Sequence, residues 1–157
     1  MKKLSRNWMA ASFIATAISL GGVGTAMAET TSHFVKIQSQ QSFGKTVDAL
    51  KSSIKDNQMM VMGTSNQAKV LSMTGLDLKG GQSFLVGNPQ VGKKAFSMNP
   101  AVGVELPIRI YVWGTNDGSY MGYYQPSSQL IAISPKLEKM GKKLDKKLAN
   151  ITDQAAN

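Results

Sequence analysis

The stretch Glu105–Trp113, ELPIRIYVW, brings four chemically capable side chains close together. Arg109, Tyr111 and Trp113 alternate with Ile108, Ile110 and Val112. On a strand that spacing puts the guanidinium and the two rings on one face and the aliphatic residues on the other. A cation flanked by aromatic rings can hold an anionic group while the rings pack against an apolar or planar body. The same face could instead pack a partner subunit or lie beneath a helix. Burial of Arg109 under a dry helix is costly unless it is paired, which favours a dimer interface or a small-ligand pocket. The following hairpin, with Tyr120, Met121, Tyr123 and Tyr124, offers further rings for this face.

Glu105 lies between Val104 and Leu106. As a partly buried carboxylate it could move protons with Asn88 or Arg109 nearby, which makes a small enzyme one alternative; a solvated turn acid is the other. Met60 and Met62 stand two apart in a short apolar run and would share a strand face, where their thioethers suit a soft metal such as Cu(I). Methionine is also an adaptable core filler. Met73, Met98 and Met140 fall at core-facing helical positions, which supports that plainer reading.

Other chemistries are thinly represented. There is no cysteine, which excludes thiolate nucleophiles, thiolate metal sites and iron–sulfur clusters. The single histidine, His33, stands a few residues into the expected mature chain, a poor place for a general base. Gly63-Thr64 and Gly80-Gly81 fit no phosphate-binding loop, and no motif identifies a cofactor.

Residues 1–28 read as a secretory signal. Lys2, Lys3 and Arg6 precede the apolar run Trp8–Leu20, and Ala26-Met27-Ala28 supplies small residues for cleavage. That run is shorter than the roughly 20 residues a membrane span needs. Removal leaves residues 29–157 as one domain, expected in the periplasm without a transmembrane anchor. The chain's net charge is +9, and the three cations of the leader leave +6. Much of that excess sits in Lys136, Lys139, Lys142, Lys143, Lys146 and Lys147, opposed locally by Glu138 and Asp145. The run reads as a solvated face or as a contact for anionic lipid or acidic polymer; the periplasm argues against nucleic acid.

The elements that must position these residues follow from periodicity. His33–Ile37 alternates as a strand. Ser42 precedes a helix with Phe43, Val47, Leu50 and Ile54 on one face. Met59–Met62 and Gln82–Val86 have strand length, and Asn66–Met73 is helix-like with Gly75 after it. Asn88-Pro89 opens a short helix with Val91, Ala95 and Met98 inward, and Asn99-Pro100 closes it. Pro107–Gly114 is a strand, Asn116-Asp117-Gly118 a hairpin turn and Tyr120–Tyr124 the return strand. Pro126 breaks that strand, and Leu130, Ile131 and Ile133 read as a short apolar connection. Ser134-Pro135 starts the last helix, with Leu137, Met140, Leu144, Leu148 and Ile151 as its stripe. Strands and helices mix in the α+β manner: a mixed or antiparallel sheet packed by helices in one compact domain.

This order of elements resembles the bacterial domain-of-unknown-function 302 family. The likeness is carried by VGNPQVGKKAFSMNPAVGVELP at 86–107, by SFGKTVDALKSSIKDNQMMVMG at 42–63 and by AKVLSMTGLDL at 68–78, and covers about residues 34–150. It implies a compact α+β fold and commonly a homodimer, and no reaction. Many members carry cysteine just before the Asn-Pro pair and just after the Leu-Pro pair, where this chain has Gly87 and Ile108. The function expected is a non-catalytic dimeric module that binds a small ligand or a periplasmic partner protein through Asn88, Glu105, Arg109, Tyr111 and Trp113. A soft-metal protein using Met60 and Met62 and a small carboxylate enzyme are the alternatives.

Overall fold

The computed structural model describes residues 33–157; the expected signal segment lies outside them. Five strands, β1 (Phe34–Ser39), β2 (Met60–Asn66), β3 (Gly81–Gly87), β4 (Ile108–Thr115) and β5 (Gly118–Tyr124), form one sheet in the order β1-β5-β4-β3-β2. Every pairing is antiparallel. The helices are α1 (Phe43–Asp56), α2 (Gln67–Ser72), α3 (Pro89–Met98), α4 (Pro126–Ile133) and α5 (Glu138–Ala156). The α+β single-domain expectation holds.

One sheet face is aliphatic and makes the core. Phe84 and Val86 of β3, Ile108, Ile110 and Val112 of β4, and Met121 and Tyr123 of β5 are buried there. They meet Val47, Leu50 and Ile54 of α1 and Leu144, Leu148 and Ile151 of α5. Burial of each such side chain contributes about 1.5–3 kcal/mol. The inward set of β4 is the alternation read from the sequence. The α5 stripe continues past Ile151 to Thr152 and Ala155. That end is held by buried hydroxyls: Ser39 Oγ donates to the Ala156 carbonyl at 3.1 Å, and Thr46 Oγ1 lies 2.7 Å from Ser119 Oγ.

The Asn-Pro pairs work as helix punctuation, and more fully than their spacing suggests. Asn88 Oδ1 accepts from the backbone N–H of Gln90 at 2.9 Å and of Val91 at 3.3 Å, capping α3. Asn99 ends α3 in extended geometry and also caps the 3-10 turn Pro100–Val104, its Oδ1 accepting from Ala101 N–H at 3.0 Å. At the β4–β5 hairpin, Gly118 takes φ 127°, and a Cβ there would lie 2.4 Å from the Ser39 carbonyl oxygen, so only glycine fits.

Three expectations are corrected. Residues 126–133 are the helix α4, not a connection. Gln125 supplies no side-chain cap there; the carboxylate of Asp145 on α5 accepts from Ser127 N–H at 2.9 Å instead. Met73 and Met98 are 78% and 42% exposed rather than core-facing, because α2 and α3 lie at the periphery. Met121 and Tyr123 face the core, which leaves Tyr120 and Tyr124 as the β5 rings on the outer face.

Candidate functional site

The sheet's outer face is bordered by α2, which meets β3 where Gln67 Nε2 donates to Ser83 Oγ at 2.7 Å, by the loop 78–80, and by the 100–107 turn at one end, and is otherwise open. Arg109, Tyr111 and Trp113 stand on it, as their alternation with the buried aliphatics requires. Strand register extends the row. Trp113 pairs with Tyr120, and Tyr111 with Gly122, which in turn pairs with Lys36 of β1. The rings of Tyr111 and Trp113 stack with centroids 5.6 Å apart and 15° between planes. Those of Trp113 and Tyr120 stack at 5.4 Å and 19°. Lys36 Nζ caps the row, 4.1 Å from the Tyr120 centroid and 5.8 Å from that of Trp113.

Gly122 is the floor beneath this layer. A Cβ there would lie 2.7 Å from Phe34 Cζ and 3.1 Å from Trp113 Cζ3, so the two rings close over a backbone position that must lack a side chain. Phe34 also packs edgewise on Tyr124, 5.4 Å between centroids and 59° between planes.

Beside Phe34 and Tyr124 opens a cleft of about 460 Å³, walled by residues 103–107 and by Leu85, Arg109 and Tyr111. Glu105 and Arg109 therefore share one cleft. They form no ion pair; the only ion pairs among the described residues are Lys51–Asp48 and Lys142–Glu138, both exposed. Arg109 is exposed and Glu105 half-buried, so both remain available to a ligand. Trp113 lines a shallower depression of about 290 Å³ on the other side of Tyr111, with Phe34, Leu78 and Lys79.

Asn88 lies elsewhere. Besides capping α3, its Nδ2 donates to the Gln58 carbonyl at 2.8 Å, and it borders the cleft between α3 and α5 rather than the aromatic face. The structure does not bring it to Glu105 or Arg109.

A family model described as Domain of unknown function DUF302 matches residues 35–155. The chain belongs to the DUF302 family. The fold agrees: the crystal structure of an uncharacterized conserved DUF302 protein from Bacillus stearothermophilus aligns with a TM-score of 0.72 at 22% identity, covering 78% of this chain and 97% of that one. No curated protein matches the chain. The residues just before the Asn-Pro pair and just after the Leu-Pro pair, Gly87 and Ile108, are closely packed. Ile108 is a core residue, 3% exposed, and Gly87 takes the Met62 sulfur against it, 2.7 Å from where a Cβ would sit.

The methionine pair lies on the outermost strand. Met60 and Met62 are 55% and 56% exposed. A bulge at Met62, between the paired residues Val61 and Gly63, breaks the alternation expected to put the two side by side. Among the described residues no group of three or more His, Asp or Glu side chains could hold a metal ion, and no helix is long and apolar enough to cross a membrane.

The sequence reading did not join Phe34, Lys36 and Gly122 to the site. The signal for them is the pairing of β1 with β5, which no local pattern encodes.

Proposed function

We propose that this DUF302 protein is a non-catalytic binding module, exported to the periplasm, which takes a small ring-bearing anion onto the open face of its sheet. The observation that carries the reading is an unpaired Arg109 in a cleft bordered by Phe34, Tyr111 and Tyr124, continuous with the stacked row Tyr111–Trp113–Tyr120. The rings offer a flat apolar support and the guanidinium a bidentate partner for a carboxylate or phosphate. Glu105 at the cleft's edge selects against ligands with a second negative charge near it, and admits one with a hydrogen-bond donor there.

Trp113 is the only tryptophan among the described residues, and it reports the site. Titration with a panel of aromatic carboxylates and nucleoside monophosphates is expected to give saturable quenching and a raised melting temperature for at least one class. Arg109→Gln should abolish both effects, and Trp113→Phe should remove the optical signal while keeping the thermal one. A flat response to the whole panel refutes the reading.

A second reading, self-association through the same face, is favoured by its exposed apolar groups: Phe34 is 54%, Tyr124 47% and Val104 83% exposed. Light scattering decides it. A dimeric mass that Phe34→Glu converts to a monomer supports this use of the face, and a wild-type monomer removes it.

A further inference from the structure

The lysine run of the sequence is only half explained by solvation. On α5, Lys139, Lys143 and Lys147 recur every fourth residue and so line one side of the helix. That side, together with Lys136 before it and Lys94 on α3, rims a cleft of about 630 Å³. No Asp or Glu among the described residues lines this cleft. Among the described residues none of the five ammonium groups has an ion pair, because Glu138 is taken by Lys142 at 2.6 Å and the other ion pair is Lys51–Asp48. Five like charges around one concavity repel one another and hold a standing positive potential.

The floor of the same cleft is apolar: Met59, Val91, Met140 and Leu144. Next to it, beneath α3, lies a pocket of about 190 Å³, which shares Met59, Asn88, Val91 and Leu144 with the cleft and adds Met62, Val86, Phe96 and Ile108. Dry apolar cavities of about 150 Å³ already accept a ligand the size of benzene. The arrangement is a cationic rim at the mouth of an apolar recess, with charge outside and hydrocarbon inside.

We propose that this cleft is a binding site for a monomeric single-chain amphiphile with an anionic head group, of the alkyl carboxylate or alkyl phosphate class. The head group lies among Lys94, Lys139 and Lys143. The alkyl chain passes Met59 and Val91 into the recess under α3. The lysine-rimmed cleft shares no lining residue with the aromatic cleft, and the recess meets it only at Leu106 and Pro107, which neither set of variants touches, so the two readings are tested separately.

Calorimetric titration below the critical micelle concentration tests this, with sodium decanoate and decyl phosphate as probes and decyl maltoside and inorganic phosphate as controls. Expected are saturable binding of one decyl anion per chain, weakening between about 50 and about 500 mM salt, and affinity at least about tenfold lower for both controls. The triple change Lys94→Gln, Lys139→Gln, Lys143→Gln alters exposed side chains only; it should weaken decyl phosphate by about tenfold or more and leave the melting temperature unchanged. Val91→Trp should block the recess and abolish binding, whereas Arg109→Gln should leave it intact. Equal binding of decyl maltoside overturns the proposal, because the lysines would then recognise nothing. Binding to phosphatidylglycerol vesicles without binding to monomeric decyl anions also overturns it, in favour of a membrane-surface contact.

Discussion

Gly141→Ala separates two opposed effects in α5. By intrinsic propensity, alanine in a helix interior is worth about 1 kcal/mol over glycine. Packing opposes that gain. A Cβ on Gly141 would stand 2.5 Å from the Cα and 3.0 Å from the N of Ser127, and 3.2 Å from the Pro126 carbonyl oxygen. Carbon atoms are at ease about 3.5–4.0 Å apart, so the start of α4 must move off α5 by roughly 1 Å. These are backbone atoms, and no rotamer change relieves the clash. Overpacking of this kind costs about 1–3 kcal/mol, and displacement of α4 also strains the Ser127–Asp145 hydrogen bond. The net expectation is destabilisation by about 1–2 kcal/mol. Urea unfolding followed by circular dichroism should show a lower midpoint with an unchanged slope. Gly44→Ala in α1 and Gly92→Ala in α3 are the internal standards. Beyond its own helix neither Cβ would meet a described atom within 4 Å, so Gly92→Ala should gain about 0.5–1 kcal/mol and Gly44→Ala, in the first turn, a smaller amount. A Gly141→Ala protein as stable as these would refute the claim that close approach of α4 and α5 dictates glycine.

Three further outcomes are expected. Burial pushes the Tyr123 phenol above its ordinary value of 10.0, with Asp153 and Asp145 adding to the shift and Thr152 opposing it. The folded state therefore holds that proton more tightly than the unfolded chain, and stability should be level below about pH 10 and fall as pH rises through the folded value; Tyr123→Phe should flatten the decline in urea midpoints. Asp145→Ala removes the side chain that caps α4 and should cost about 1 kcal/mol in the same assay, whereas Asp153→Ala should cost far less. Asn88→Ala frees two N–H groups of α3 and the Gln58 carbonyl, and should cost about 1–2 kcal/mol while leaving Trp113 emission unchanged.

What could be read from the chain, and what could not, divides according to the range of the cause. Strand β4 is legible because its alternation is local and one face is uniformly aliphatic. Helix α3 is legible because its start and stop are written in Asn-Pro pairs that act on their immediate neighbours. Helix α4 is not, because the group that caps it is Asp145, eighteen residues further on and on another element. Nor is the exposure of Met73 and Met98: an apolar residue at a helical spacing looks the same whether its helix lies on the core or at its rim. Edge strand β2 adds a bulge, and one extra residue is enough to undo a period-two argument about Met60 and Met62.

The candidate site follows the same division, and that bears on how its parts can be tested. Arg109, Tyr111 and Trp113 share a face for a reason internal to β4, and any sheet containing that strand would keep them together. Phe34, Lys36 and Gly122 join them only through the register of β1 against β5 and of β5 against β4. A one-residue slip in either pairing would turn Phe34 or Tyr120 to the opposite side of the sheet. What pins the register is on the core side: Met121 fully buried opposite Val112, and Ser119 tied to Thr46. The aromatic row is therefore positioned by residues that never touch it. A substitution such as Thr46→Val, aimed at the buried hydroxyls behind the sheet, should loosen the stacking of Trp113 on Tyr120 as well as lower stability. If near-ultraviolet circular dichroism of the rings stays unchanged while the urea midpoint falls, the row is held by its own stacking and the register argument fails.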